Sequence, residues 1–241
     1  MYGMYGYGYG YGLDPTIILV LIGVALSLWA QGRVNSTFSR YSRVRSMTGM
    51  TGAEAARRLL NAQGIYDVTV QQIAGELTDH YDPRTKTVNL SQSVYGATSV
   101  AAIGVAAHEC GHAMQDNEGY APLRFRSALV PAANFGSKLS WPLILLGLVF
   151  GGLGSPLVEI GILMFSLAVL FQLVTLPVEY NASARAVRLL DAQGILAGEE
   201  VNGTRKVLNA AALTYVAAAA TSILQLLRLI ILFGGRNRRD R

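Results

Sequence analysis

Five consecutive residues, His108-Glu109-Cys110-Gly111-His112, set two imidazoles and a carboxylate at a spacing suited to metal chemistry. On a helix, positions i and i+4 share a face. Two His placed there supply two of the three protein ligands that a catalytic zinc takes. Glu109 then stands where it can accept a proton from water acidified by the ion to a pKa of about 7. The residues around the motif, Val105, Ala106 and Ala107 before it and Ala113 and Met114 after it, carry no charge. The helix is therefore expected to be buried on its other faces, and burying these polar side chains without a task would be costly.

The spacing alone leaves the third ligand open among three residues. Glu118 lies six positions after His112, but zinc enzymes that draw a ligand from there turn the chain with a Gly where this one has Gln115. His80 sits in the turn "TDHYD". Glu179 follows an apolar run that ends at Pro177, in "LPVEYNASARA", and is expected to open a separate helix. The single cysteine, Cys110, excludes an intramolecular disulfide framework.

These residues must be positioned by a chain of unusual composition. Of 241 residues, 51% are hydrophobic and 15% charged, and the mean hydropathy is +0.34. Soluble domains carry roughly 25% charged residues, so a membrane protein is expected. Residues 13–32 predict a first transmembrane helix. Residues 139–177 predict a helical hairpin through the membrane, interrupted by "GGLGSP". Residues 209–234 predict a last helix that crosses or is partly buried, because Arg228 inside it would cost roughly 2.5–3.5 kcal/mol at mid-bilayer. Between the spans, residues 33–138 read as a soluble part. It opens with a helix capped by Thr51 and Glu54 and stopped by Gly64. A small sheet follows, with a strand at 66–70 and a hairpin turning at Asp82-Pro83, and then the motif-bearing helix at 99–115. Residues 178–208 read as a further helical part, whose "RLLDAQGI" echoes "RLLNAQGI" at 58–65. The ends are a Tyr/Gly-rich low-complexity tail, 1–12, and a basic tail, 235–241.

The net charge of +5 comes mostly from Arg beside apolar segments. It reads as a topology signal, not a nucleic-acid surface, because no basic patch is interleaved with aromatics. Arg33, Arg40, Arg43 and Arg45 follow the first span, Arg124, Arg126 and Lys138 precede the second, and Arg185, Arg188, Arg205 and Lys206 follow the third. The soluble parts are accordingly expected on the cytoplasmic face.

The motifs "LDP", "MTG", "LTDHYDPRTKTVNLS", "AAHECGHAMQ", "FQLVTLPVEYNASARA" and "VLNAAALTYVAA" together resemble the YugP-type membrane zinc metallopeptidases, a bacterial family. The resemblance runs from residue 13 to about 233, and the family is itself similar to the HtpX-like membrane gluzincins. It implies a mainly α membrane protein of three or four transmembrane helices, with a small α+β zincin-like domain at the membrane face. It implies Zn2+ held by His108, His112 and Glu179, with Glu109 as catalytic base. The implied partners are a membrane-associated peptide or protein substrate and the lipid bilayer of a bacterial inner membrane. In the relatives an Asp four residues after the Glu supports a zinc-binding His. Ser183 stands there in this chain, able to hydrogen-bond but uncharged. For substrate, "KTVNLS" at 86–91 is the expected edge strand, and His80, Arg185 and Tyr215 are the candidates for stabilising the oxyanion. Two other functions fit the sequence less well. A non-catalytic scaffold with structural zinc would have no use for Glu109. A metal transporter would need ionisable residues facing each other within spans that are nearly bare of them.

Overall fold

The computed structural model describes residues 14–152 and 155–234. The Tyr/Gly-rich and basic tails lie outside the described residues.

The chain builds α1 (Ile17–Ser42), α2 (Gly52–Ala62), β1 (Thr69–Ile73), β2 (His80–Asp82), β3 (Thr87–Ser91), α3 (Gln92–Tyr95), α4 (Val100–Asn117), α5 (Ala121–Gly151), α6 (Pro156–Ala192) and α7 (Glu199–Phe233). It is a mainly α membrane protein with a small α+β unit. Four helices, α1, α5, α6 and α7, are long and apolar enough to cross a bilayer. Three of them do not stop where the apolar run stops. At a rise of 1.5 Å per residue, the 37-residue α6 is about 56 Å long, against a hydrocarbon core of about 30 Å. Its second half therefore projects out of the membrane. The end of α1 and the first turns of α7 project likewise. Phe38 and Tyr41 from α1, and Val201 and Leu208 from α7, join the core that Leu59, Leu60, Ile103 and Leu190 form.

Small residues set the helix contacts, as they must where lipid offers no hydrophobic drive for association. A side chain at Gly161 would meet Ile144 at 2.6 Å, and one at Gly136 would meet the Met164 carbonyl at 2.5 Å, so α5 and α6 lie close together. Gly23 lets α1 approach Thr221 of α7, whose hydroxyl donates to the Gly23 carbonyl at 3.0 Å. Arg228 donates to Thr16 at 3.2 Å and pairs with Asp14 at 3.5 Å. It thus sits level with the start of α1, where it avoids the cost of mid-bilayer burial.

The sheet has the order β1-β3-β2. β2 and β3 form an antiparallel hairpin whose turn is tied by Arg84 N–H donating to Asp82 at 2.9 Å. β1 runs parallel to β3, with Thr69 opposite Thr87. The strand expected at 66–70 is thus shifted to Thr69–Ile73. The expected edge strand at 86–91 is overturned: β3 is central and buried along its length, with both sides already paired. β2 is an edge. The helix expected at 99–115 is present as α4, capped by Ser99, whose hydroxyl accepts from Ala102 N–H at 3.2 Å. The expected cap of α2 is also present, with Thr51 and Glu54 satisfying each other's backbone N–H groups.

Pro177 does not end a helix. α6 passes through it, and Glu179 lies well inside α6 instead of opening a helix of its own. Proline in a helix interior removes one backbone hydrogen bond. Here the packing of α6 against α4, α5 and α7 holds the helix across the gap, as neighbouring helices do in membrane proteins.

Candidate metal centre

The centre lies where α4 crosses α6. Gly111, inside the five-residue motif, faces the α6 backbone: a Cβ there would be 2.6 Å from the Ala182 carbonyl oxygen. Ala182 is fully buried, and no larger pair would let the helices come this close. That crossing brings His108 and His112 opposite Glu179. One carboxylate oxygen of Glu179 lies 3.2 Å from His108 Nε2 and 3.5 Å from His112 Nε2. His112, Glu109 and Glu179 are buried, and His108 is half-buried.

Each imidazole is held through its other nitrogen. Ser183 Oγ is 3.1 Å from His108 Nδ1, so the uncharged residue at that position does reach the His. Gln115 Oε1 is 3.0 Å from His112 Nδ1. The Gln115 amide donates onward to the Val178 carbonyl and to Asn181 Oδ1, each at 2.9 Å. With each Nδ1 engaged by Ser183 or Gln115, both Nε2 atoms are left facing Glu179, the arrangement that metal ligation uses. The geometry fits a small cation. A tetrahedral ion about 2.1 Å from its ligands separates them by about 3.4 Å, close to the two distances to Glu179. The candidate ligand atoms of His108, His112 and Glu179 all lie within 4.8 Å of one another. The charge fits too. Burial alone would lower the proton affinity of His112, but Glu179 and Glu109 outweigh it and raise it, so the pocket favours positive charge.

The other expected residues separate clearly. Glu118 is exposed and pairs with Arg185 at 2.6 Å; that guanidinium holds its carboxyl below the usual carboxylate range. Arg185 also donates to Asn181 and lies 5.8 Å from the Tyr120 ring centre, so neither Glu118 nor Arg185 joins the metal group. His80 is at the rim, its ring engaged by the Thr78 carbonyl at 2.8 Å and Asn89 at 3.2 Å. Cys110 faces away into the core. Its thiol is 3.6 Å from the Ala56 carbonyl, and burial pushes its pKa up, which disfavours the thiolate a metal would need.

Two cavities, of about 310 and 280 Å3, meet at His108, Glu109, Glu179 and Tyr215. One continues between α1, α4 and α7, past Val34, Val105, Leu208 and Ala212. The other runs beneath β2 and α5, past His80, Tyr81, Leu123 and Arg126. Arg126 was not among the expected residues. Its guanidinium approaches Glu179 at 3.8 Å and lies 6.0 Å from the Phe171 ring centre. Its Nε is buried with no acceptor among the described residues. The charge had been legible only as a topology mark before an apolar segment. Gln115 also belongs to the centre, although the sequence marks it only as a position without the Gly of other zinc enzymes.

A family described as "Putative neutral zinc metallopeptidase" matches residues 16–234. The chain is similar to the "Putative membrane protease YugP" of Bacillus subtilis (strain 168). The two are 49% identical over 217 residues, which cover 90% of this chain and 96% of that protein. No solved structure matches it.

Proposed function

The chain belongs to the neutral zinc metallopeptidase family, and on that premise we propose that it is a membrane-bound zinc endopeptidase of gluzincin type, acting on membrane or membrane-associated proteins. His108, His112 and Glu179 hold the ion, and Glu109 is the general base. The observation that carries this is the convergence of both Nε2 atoms on one Glu179 oxygen, with each Nδ1 fixed by Ser183 or Gln115.

When bound, zinc acidifies water and polarises a peptide carbonyl. Glu109, buried where the two cavities meet, is the carboxylate that would accept a proton from the attacking water there and return it to the leaving amine. Arg126 and Tyr215 face the same space and are placed to donate hydrogen bonds to the oxygen that gains charge. β2, not β3, offers a free edge to an extended peptide, with His80 and Tyr81 already lining the cavity. The Arg and Lys residues beside the soluble ends of α1, α5 and α6 support a centre on the cytoplasmic face of a bacterial inner membrane, with only the basic tail after α7 set against it.

Metal content and peptide hydrolysis of purified variants test this. Glu109→Gln should retain zinc and lose hydrolysis, Glu179→Ala should lose zinc, and Glu118→Ala should keep both. A Glu109→Gln protein that still cleaves peptides would return the centre to a structural role. Zinc lost from the Glu118 variant but kept in the Glu179 variant would move the site.

A further inference from the structure

A further cavity, of about 600 Å3, lies between α1, α6 and α7. Its polar lining includes Arg33, Arg40, Tyr41, Tyr180, Lys206 and Asn209. No carboxylate lines it among the described residues, and none of its three cations takes part in an ion pair there. The three cations are exposed at the cavity mouth, where they present an unpaired positive surface to an anion.

The cavity is built into the helix packing. Tyr41 sits against Gly203, where a Cβ would come within 2.7 Å of the ring. The Arg40 guanidinium lies 5.8 Å from the centre of that ring. The depth of the cavity is fixed by its surroundings. Lys206 and Arg228 lie about 33 Å apart along α7, close to the thickness of a hydrocarbon core. Arg228 and Asp14 lie at one end of the apolar segments, and Arg33 and Lys206 lie beyond the other end. Trp29, an aromatic residue more than half exposed, stands one turn before Arg33 on α1, as interfacial tryptophans do. The remaining wall is apolar: Ala210 and Leu213 continue along α7 towards the membrane.

We propose that this cavity binds the phosphate of an anionic glycerophospholipid. The phosphate sits among Arg33, Arg40 and Lys206, the glycerol meets Asn209 and the two tyrosines, and an acyl chain runs down past Leu213. The apolar wall favours a lipid over a free phosphate, which would gain nothing from it.

Native mass spectrometry of the full chain, released from nanodiscs of mixed phosphatidylglycerol and phosphatidylcholine, tests the site. Wild type should retain phosphatidylglycerol preferentially. Removing each cation near a membrane surface should weaken that preference about fivefold. The double variant Arg33→Gln/Lys206→Gln should therefore lose it about 25-fold, and Arg33→Lys/Lys206→Arg should keep it and show that the fold tolerates both positions. Arg43→Gln/Arg45→Gln removes equal charge from outside the cavity and should change little. An equal loss in that control would reduce the effect to general surface charge and overturn the site. So would displacement of the lipid by millimolar inorganic phosphate, which would make the cavity a site for soluble anions.

Discussion

Replacing Gln115 probes the part of the metal centre that the motif itself does not contain. Its side chain is completely buried and makes three hydrogen bonds: one at His112 Nδ1 and two donated to Val178 O and Asn181 Oδ1. At about 1 kcal/mol each, Gln115→Ala removes about 3 kcal/mol of stability, before any cost of the cavity left behind. It also frees the His112 ring. Losing such a support lowers metal affinity about 10- to 100-fold, or about 1.4–2.8 kcal/mol. Gln115→Glu separates the two effects. Its carboxylate still accepts from His112 Nδ1–H but faces two acceptor oxygens, so stability should fall while zinc affinity holds. Competition with a chromogenic chelator measures the affinity, and melting in detergent measures the stability. The Ala variant binding zinc within threefold of wild type would show that Gln115 does not orient His112. A Glu variant as weak in zinc as the Ala variant would show that the effect runs through general loosening of the helix crossing.

Three further outcomes follow from the same geometry. Gly111→Ala puts a Cβ 2.6 Å from the Ala182 carbonyl; it should cost about 1–3 kcal/mol and reduce zinc occupancy together with Tm, and an unchanged melt would mean that the helices have room to spare. Arg126→Gln should leave zinc content intact and reduce kcat more than KM, by about 10- to 1,000-fold if the guanidinium meets the oxyanion; a change in KM alone would make it a substrate-binding residue. Glu118 is held below its ordinary pKa by Arg185, so that pair contributes at pH values above the unfolded carboxyl pKa and is lost as pH falls through the lower folded value. Glu118→Gln should accordingly flatten the acid limb of the Tm-against-pH curve below about pH 4.5, and an unaltered limb would mean that this pair adds nothing.

What could be read in advance was local. The i and i+4 spacing of His108 and His112, and the reciprocal cap of Thr51 and Glu54, are decided within a single turn of helix, and both are as expected. Features decided by distant packing were not visible. A proline after an apolar run reads as a helix end, yet α6 continues because three neighbouring helices hold it. "KTVNLS" reads equally well as a central or an edge strand; only the return of β1 alongside it settles which. Arg126 reaches the centre because α5 packs on α6, and nothing in "PLRFRSAL" announces that destination. Ser183 illustrates a different limit. A missing charge is plain in the sequence, whereas the 3.1 Å contact that replaces it depends on where α4 crosses α6.

The uninterrupted passage of α6 from lipid into the α+β unit makes the bilayer a ruler. Its apolar stretch ends near Leu176, and Glu179 follows about 4.5 Å further along the same rigid rod. An extended polypeptide covers that rise in between one and two residues. For a peptidase with this centre, the bond within reach is one close to the point where a substrate leaves the membrane. The cleavage position would then be set by distance from the lipid as much as by the side chains around it. A loop remote from the membrane would have to be pulled down to the surface before it could be cut.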